Sequence, residues 1–417
     1  MIHVCFCFTD KTGRYAKFVG TAMLSLFENI SDTSQPVTVH ILHDETLTQD
    51  NREKFVYIAG RYGQLVKFYN VKELCSDKIE KMLELVPKLE KSRVSVGAFY
   101  KLLIPQVLPQ EIEKAIYLDS DIIVNLDINE LWQINLGDSL LGVVPKKTQY
   151  VNSKIATERM NKAYAVCRDN VIKIDDYFNS GVFVMNLNLL RNEEENIMRG
   201  VKFRGENPKQ IYWDQTVLNY CFSERTVKMP KDFNRNINHA RSQKETPKGK
   251  ICHYNLNVLG LDLNDAFNRL WMSYFIKTPF FDEEAIGRLY TELLRIRNNL
   301  KDMMANTSAI VSGKTRAFFV EPAKIESMKT FFSIRDDELI IPAENQDSLK
   351  KLLDAMKTSQ GKCVFFIMTE KFLKKNFPFD LLTKKGFVQD KDFLKGWKYL
   401  SDSYGNQLNS HPLVQAM

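Results

Sequence analysis

The feature that most restricts the fold is a recurrence near the start of the chain: a short apolar strand, a polar loop, then a stretch of helical period. Residues 4–8 are an uncharged run of strand formers, residues 10–15 a polar turn with Gly13, and residues 16–29 set Phe18, Val19, Ala22, Met23 and Leu26 along one helical stripe. The unit returns as a strand at 37–42, a helix after Thr48 carrying Phe55, Ile58 and Ala59, and a strand at 65–69. Strands that alternate with helices in this way need crossover connections, so the pattern predicts an α/β domain with a Rossmann-type sheet.

Residues 97–103 read as a helix stopping near Pro105, and 114–118 as a buried strand running directly into Asp119-Ser120-Asp121. Carboxyl ends of strands are where open α/β sheets bind ligands, which places both acids in the expected site. Residues 178–187 are strongly apolar with a break at Gly181, 214–222 a short helix, and 250–253 an apolar segment ending in His253. Ile286, Leu289, Tyr290, Leu293 and Ile296 form one stripe of an amphipathic helix over 283–300, and the polar Asn306-Thr307-Ser308 and Ser312-Gly313 follow as a linker. Strands at 316–320, 339–341 and 363–368 and a helix at 347–357 complete the pattern. The expected organisation is a domain over 1–280, an amphipathic helix and linker over 281–307, and a small α/β domain over 308–417.

A chain of 417 residues accommodates a large and a small domain, and 44% apolar with 26% charged residues is an ordinary globular balance. No apolar run reaches the roughly 18 residues a membrane span needs, and the N-terminus enters a strand without a basic n-region, so the expected location is the cytoplasm. Seven cysteines without any C-x-x-C spacing read as reduced thiols. The net charge of +7 favours anionic partners such as nucleotide diphosphates, acidic lipid headgroups or nucleic acid.

Two carboxylates at i and i+2 leaving an apolar strand can grip one hard divalent cation, Mg²⁺ or Mn²⁺, whose remaining positions go to substrate phosphates and water. The same tripeptide also fits the start of a haloacid-dehalogenase-type phosphatase, in which the first aspartate is a nucleophile and a later acidic pair, here Asp175-Asp176, assists. The motif lies more than a hundred residues into the chain, late for that family.

Several motifs in order resemble the family 8 retaining glycosyltransferases: Phe8-Thr9-Asp10 with Tyr15, Ala98-Phe99-Tyr100-Lys101-Leu102, Tyr117-Leu118-Asp119-Ser120-Asp121, Phe178-Asn179-Ser180-Gly181-Val182, Trp213-Asp214-Gln215 and His253-Tyr254. The resemblance covers about residues 1–280. It implies a GT-A-like mixed sheet flanked by helices, a UDP-sugar donor, and hexose transfer to a glycan or lipopolysaccharide-type acceptor with retained anomeric configuration. By it, Phe8, Thr9, Asp10 and Tyr15 form the uridine pocket, Asp119, Asp121 and His253 ligate Mn²⁺ or Mg²⁺, and Ser120 lies near the ribose. Asn179, Asp214 and Gln215 then face the transferred sugar, with helix capping the competing role for Asp214. His239 is the competing metal ligand, in surroundings that suggest a mobile loop.

Three departures matter. An arginine common in the family's donor helix is Lys101 here, which keeps the charge without the bidentate fork. Where relatives carry an acidic residue after the strand ending in Val144, this chain has Pro145-Lys146-Lys147. His253 is followed by Tyr254-Asn255-Leu256-Asn257-Val258 and not by the family's phosphate-binding lysine run, leaving Lys248 or Lys250 as substitutes. These changes keep open a non-catalytic nucleotide-sugar-binding protein as the alternative.

Past residue 308, Lys371, Lys374, Lys375, Lys384, Lys385, Lys391, Lys395 and Lys398 alternate with Phe372, Phe377, Phe379, Phe387, Phe393 and Trp397. Two readings stand: aromatics as core under solvated lysines, or a basic-aromatic surface for peripheral contact with the inner face of the cytoplasmic membrane. Nucleic acid is the less favoured partner, and homo-oligomerisation is a further role open to this domain.

Overall fold

The computed structural model describes residues 1–32, 35–87, 96–150, 152–169, 171–207, 212–254, 263–284, 287–288, 291, 310–332, 334–369, 371–373 and 375–395. It divides into two compact units, Met1–Phe281 and Asp282–Met417.

The first unit opens with β1 (Ile2–Cys7), α1 (Arg14–Glu28), β2 (Val37–His43), α2 (Gln49–Arg61) and β3 (Leu65–Asn70). Every residue of β2 is buried, as a strand covered on both faces requires. Thr48 starts α2 by accepting a hydrogen bond from Asn51 N at 3.2 Å. Within α1, Gly20 lies against Phe280: a Cβ there would come within 2.3 Å of the ring. That clearance lets the segment after the helix Ala266–Phe275 close over α1, where Trp271 lies 5.9 Å from Phe18.

The chain continues through β4 (Lys114–Leu118), β5 (Ile122–Asn125), β6 (Leu141–Pro145), β7 (Phe178–Asn186), β8 (Thr226–Lys228), β9 (Arg235–Asn236) and β10 (Lys250–His253). A seven-stranded sheet has the order β3-β2-β1-β4-β7-β6-β8, and β5-β10-β9 form a smaller one. β1 pairs in parallel with β2 and β4, whereas β7 runs antiparallel between β4 and β6. The large sheet is therefore mixed. Apolar side chains cover both of its faces, Val4 and Ile116 on one and Cys5 and Tyr117 on the other.

Two local expectations change. Val96–Leu103 is a 3₁₀ helix, and Pro105 does not end it but lies in the first turn of the short helix Ile104–Val107, where a missing N–H leaves no helical bond unmade. Strand β7 runs through Gly181 without a break.

In the second unit four strands, Leu339–Pro342, Thr315–Val320, Cys363–Ile367 and Phe393–Leu394, pair in parallel in that order. The helix Gln346–Thr358 begins with a capping box between Asn345 and Ser348. Phe372, Phe377 and Phe393 are at most 5% exposed, and Phe379 and Phe387 pack on the same core. Among the described residues these aromatics thus belong to the interior, under exposed lysines such as Lys384, Lys385 and Lys391. The basic-aromatic membrane surface loses its aromatic half. Lys374, Trp397, Lys398, Asn306-Thr307-Ser308 and most of the amphipathic stretch at 283–300 lie outside the described residues. Among those described, no helix is long and apolar enough to cross a membrane.

Candidate active site

Strand β4 ends at Leu118 in the large sheet, β5 begins at Ile122 in the small one, and Asp119-Ser120-Asp121 spans the step. Asp119 N donates to Gly181 O at 2.8 Å, which fixes the turn against β7. Antiparallel pairing of β10 with β5 sets His253 opposite Ile122, beside the acids. His253 Nε2 lies 3.3 Å from Asp121 Oδ1 and 3.8 Å from Asp119 Oδ2, and the three ligand atoms fall within 4.8 Å of one another. A Cβ on Gly181 would stand 2.3 Å from His253 Cε1 and 2.9 Å from Asp119 Oδ2. Gly181 is therefore clearance over this cluster, not a strand breaker. Two carboxylate oxygens and an imidazole nitrogen are a donor set that fits Mn²⁺ or Mg²⁺, with room in the coordination sphere for phosphate and water.

Charge is balanced beneath the cluster. Asp119 Oδ1 accepts from Tyr117 Oη at 2.6 Å and Lys101 Nζ at 2.9 Å, leaving Oδ2 for the triad. The Lys101 ammonium also meets Asp214 Oδ2 at 2.8 Å and the Ser180 carbonyl at 3.3 Å, 4.5 Å from the centre of the Tyr117 ring. Burial alone would depress its pKa, but Asp119 and Asp214 overcome this and hold it raised. Burial likewise works against the charge on Asp121 and on His253. Their mutual attraction outweighs it, lowering the carboxyl pKa and raising that of the imidazole.

A second set of contacts is made of neutral amides. Asn219 accepts from Phe178 N at 2.8 Å and donates to Phe178 O at 2.9 Å, tying the helix Asp214–Phe222 to the start of β7. Gln215 Oε1 then accepts from Asn179 Nδ2 at 3.0 Å and Ser180 N at 3.3 Å, while its Nε2 donates to Tyr177 Oη at 2.8 Å. Asn179 Oδ1 accepts from Asn234 Nδ2 at 2.8 Å, and Asn234 Oδ1 lies 2.9 Å from His253 Nδ1. The chain Gln215–Asn179–Asn234–His253 thus holds Nδ1 as the protonated nitrogen and turns Nε2 toward the aspartates. Asp214 is no helix cap: Trp213 holds the N-cap position, and Asp214 Oδ2 accepts from Ser180 Oγ at 3.0 Å as well as from Lys101.

The remaining site residues separate. Phe8 is 2% exposed with its ring edge-on to Phe55 at 6.2 Å, so that ring is core and not a stacking face. Tyr15 is half-buried, and its phenol pKa is raised by burial and then by the charge of Asp121. Asp10 accepts from Tyr15 N at 3.0 Å and Ala16 N at 3.2 Å, anchoring the loop that carries Tyr15; burial raises its own pKa, which these bonds partly offset. Thr9 is buried in the same loop, and Ser120 is half-buried between the two aspartates.

His239 lies on the helix Ile237–Ser242, not on a loop, with its ring 4.7 Å from Tyr150 and its pKa pushed down to about 4 by burial and by Lys146. Asp175 and Asp176 pair with Lys147 at 2.6 Å and Lys228 at 2.7 Å, so they supply no free acidic pair for phosphatase chemistry. Lys250 opposes Asn125 at the far end of β10 from His253, near Asp232 and Glu245, and Lys248 is exposed beyond it.

Sequence reasoning missed Asn234, Tyr177 and the hydrogen-bonding role of Tyr117. Tyr117 had a signal: at i−2 from Asp119 it shares that residue's face of the strand. Asn234 had none, because its importance comes from being opposite Asn179 and His253, which only the fold brings together.

The large mixed sheet with helices on its faces is a GT-A-like fold. It is similar to the structure of the galactosyltransferase LgtC in complex with donor and acceptor sugar analogues, with a TM-score of 0.52 and 18% identity over 69% of this chain and 99% of that one. The glycosyl transferase family 8 model matches residues 3–258, and the chain belongs to that family. Relatives are General stress protein A of Bacillus subtilis, 26% identical over 52% of this chain and 68% of that protein, and lipopolysaccharide 1,2-glucosyltransferase of Escherichia coli, 26% identical over 52% of this chain and 58% of that protein.

Proposed function

We propose that the protein moves a hexose from a UDP-sugar to a glycan or lipopolysaccharide-type acceptor, with retention of anomeric configuration. The observation that carries this reading is the convergence of Asp119 Oδ2, Asp121 Oδ1 and His253 Nε2 beneath Gly181. In this reading the three hold Mn²⁺ or Mg²⁺, which when bound offsets charge developing on the departing diphosphate. Tyr15 offers its ring to uracil, Asp10 fixes the loop that presents it, and Thr9 and Ser120 line the nucleoside. Asn179 and Asp214 hold sugar hydroxyls, with Gln215 beside the anomeric carbon as an electrostatic stabiliser. Asp214 is engaged by Lys101 and Ser180, which suits a group that holds charge better than a nucleophile with free lone pairs.

The test is titration of UDP and UDP-sugars with and without Mn²⁺, followed by UDP release in the presence of lipopolysaccharide-type acceptors, with Asp119→Asn as control. Metal-dependent binding and acceptor-dependent release are expected, both lost in the variant. Binding without turnover across varied acceptors would point to a nucleotide-sugar-binding protein. Hydrolysis of simple phosphate esters without UDP affinity would sink the reading.

A further inference from the structure

A divalent ion and the Lys101 ammonium would face three carboxylates, Asp119, Asp121 and Asp214. Such a site is near neutral before any donor enters. A diphosphate brings further negative charge, and more develops on it as it leaves, so one more cation would stabilise it.

Several other cations of this unit are committed. Lys147 pairs with Asp175, Lys250 lies by Asp232 and Glu245, and Arg235 is clamped by Glu245 and Gln149. Arg269 donates to the carbonyls of Leu263 and Asn264. Residues 255–262, where the family's lysine would stand, contain neither lysine nor arginine.

Lys146 differs from these. Antiparallel pairing of β6 with β7 sets Val143 opposite Phe183, and an unbroken ladder would set residue 146 opposite Ser180. Instead the register shifts at Pro145, which has no N–H to give the ladder, and Pro145 pairs with Phe178. Lys146 N then donates to Tyr177 O at 2.8 Å, beside the tyrosine that holds Gln215. The 3₁₀ turn that Lys146 begins, Lys146–Gln149, reaches the triad from the other side: Gln149 Nε2 donates to Asn234 O at 2.9 Å, and Asn234 orients His253. The side chain is half-buried, its charge is felt by His253, and no carboxylate among the described residues pairs with it.

We infer that Lys146 anchors the donor diphosphate and stabilises the departing UDP, in place of the lysine this chain lacks after His253. The inference rests on the UDP-sugar reading above. In the transfer, the bond from the anomeric carbon to the diphosphate oxygen breaks with its electron pair going to that oxygen. The acceptor oxygen bonds to the carbon, and its proton passes to the departing diphosphate. The Lys146 ammonium donates a hydrogen bond to the diphosphate throughout and gives up no proton.

The experiment compares wild type, Lys146→Met and Lys146→Arg for Mn²⁺–UDP affinity, for affinity toward uridine, which lacks the diphosphate, for kcat and acceptor KM, and for melting temperature. Loss of a charge-assisted bond predicts roughly tenfold or more weaker Mn²⁺–UDP binding and lower kcat in the methionine variant. Uridine affinity and melting temperature should match wild type, and arginine should recover most of the loss. Unchanged Mn²⁺–UDP affinity in Lys146→Met would overturn the assignment, and with a raised acceptor KM it would give the amine to the acceptor instead. Equal losses for UDP and uridine would also overturn it, as a pocket-wide effect. A wild-type protein without UDP affinity would remove the donor reading itself, and this inference with it.

Discussion

The site joins two networks of opposite character. Around Asp119, Asp121, Asp214, Lys101 and His253 the contacts are ionic, and opposing charges shift the titration of Lys101, Asp121 and His253. Along Gln215, Asn179, Asn234 and His253 they are neutral amide bonds that carry orientation but no charge. His253 belongs to both. The comparison teaches that charge draws the acids, Lys101 and His253 together, whereas the amides determine which nitrogen of His253 faces the acids. Ionic and amide substitutions should therefore fail differently.

The largest effect is expected from Asp119→Asn, which removes the carboxylate charge that faces Lys101 and His253. Metal-dependent turnover should fall by about a thousandfold or more, read as UDP release across an Mn²⁺ titration. Gly181→Ala comes next, because its methyl group would meet both His253 and Asp119. Overpacking there should cost about 1–3 kcal/mol, seen as a lowered melting temperature together with weakened Mn²⁺ binding. If Gly181→Ala bound Mn²⁺ like wild type, the triad would not be a metal site at that spacing.

Asn234→Ala keeps every charge and cuts the amide chain. We expect about 10- to 100-fold loss in metal affinity or activity with little change in fold, measured by calorimetry and circular dichroism. An unchanged affinity would show that the amides do not orient His253. The smallest effect is a pH dependence of Mn²⁺–UDP binding. Burial pushes the Lys146 ammonium down to about 8, so it is charged below that pH and loses its proton as pH rises through it. Affinity should therefore decline between about pH 7 and 9 in wild type and stay level in Lys146→Arg. His239, which feels Lys146, Arg235 and Arg159, is already neutral there.

Much of this was readable before the fold was known, for local reasons. Strands β1 to β4 and helices α1 and α2 follow from apolar periodicity, and Asp119-Ser120-Asp121 announces itself as acids at the end of an apolar strand. Residues whose meaning depends on a distant partner were misread or missed. Phe8, which the resemblance put in the uridine pocket, closes an apolar strand and turns its ring to Phe55. Gly181 looked like a break because nothing local reveals His253 against it. Lys250 is close to His253 in sequence but opposes Asn125, away from it. In the second unit, the spacing of Phe372, Phe377 and Phe393 fitted a surface as well as a core until the strands were placed.

The step from β4 to β5 has a mechanical consequence. Asp119 and Asp121 leave the large sheet, while His253 arrives on the small one, so an ion shared by them is a removable cross-link between the two sheets. It would close a long stretch of chain at one point, much as a clip does. Loading the ion should slow amide hydrogen exchange most in β5 and β10, whose ladder it would pin to β4, and leave β2 and β3 nearly unaffected.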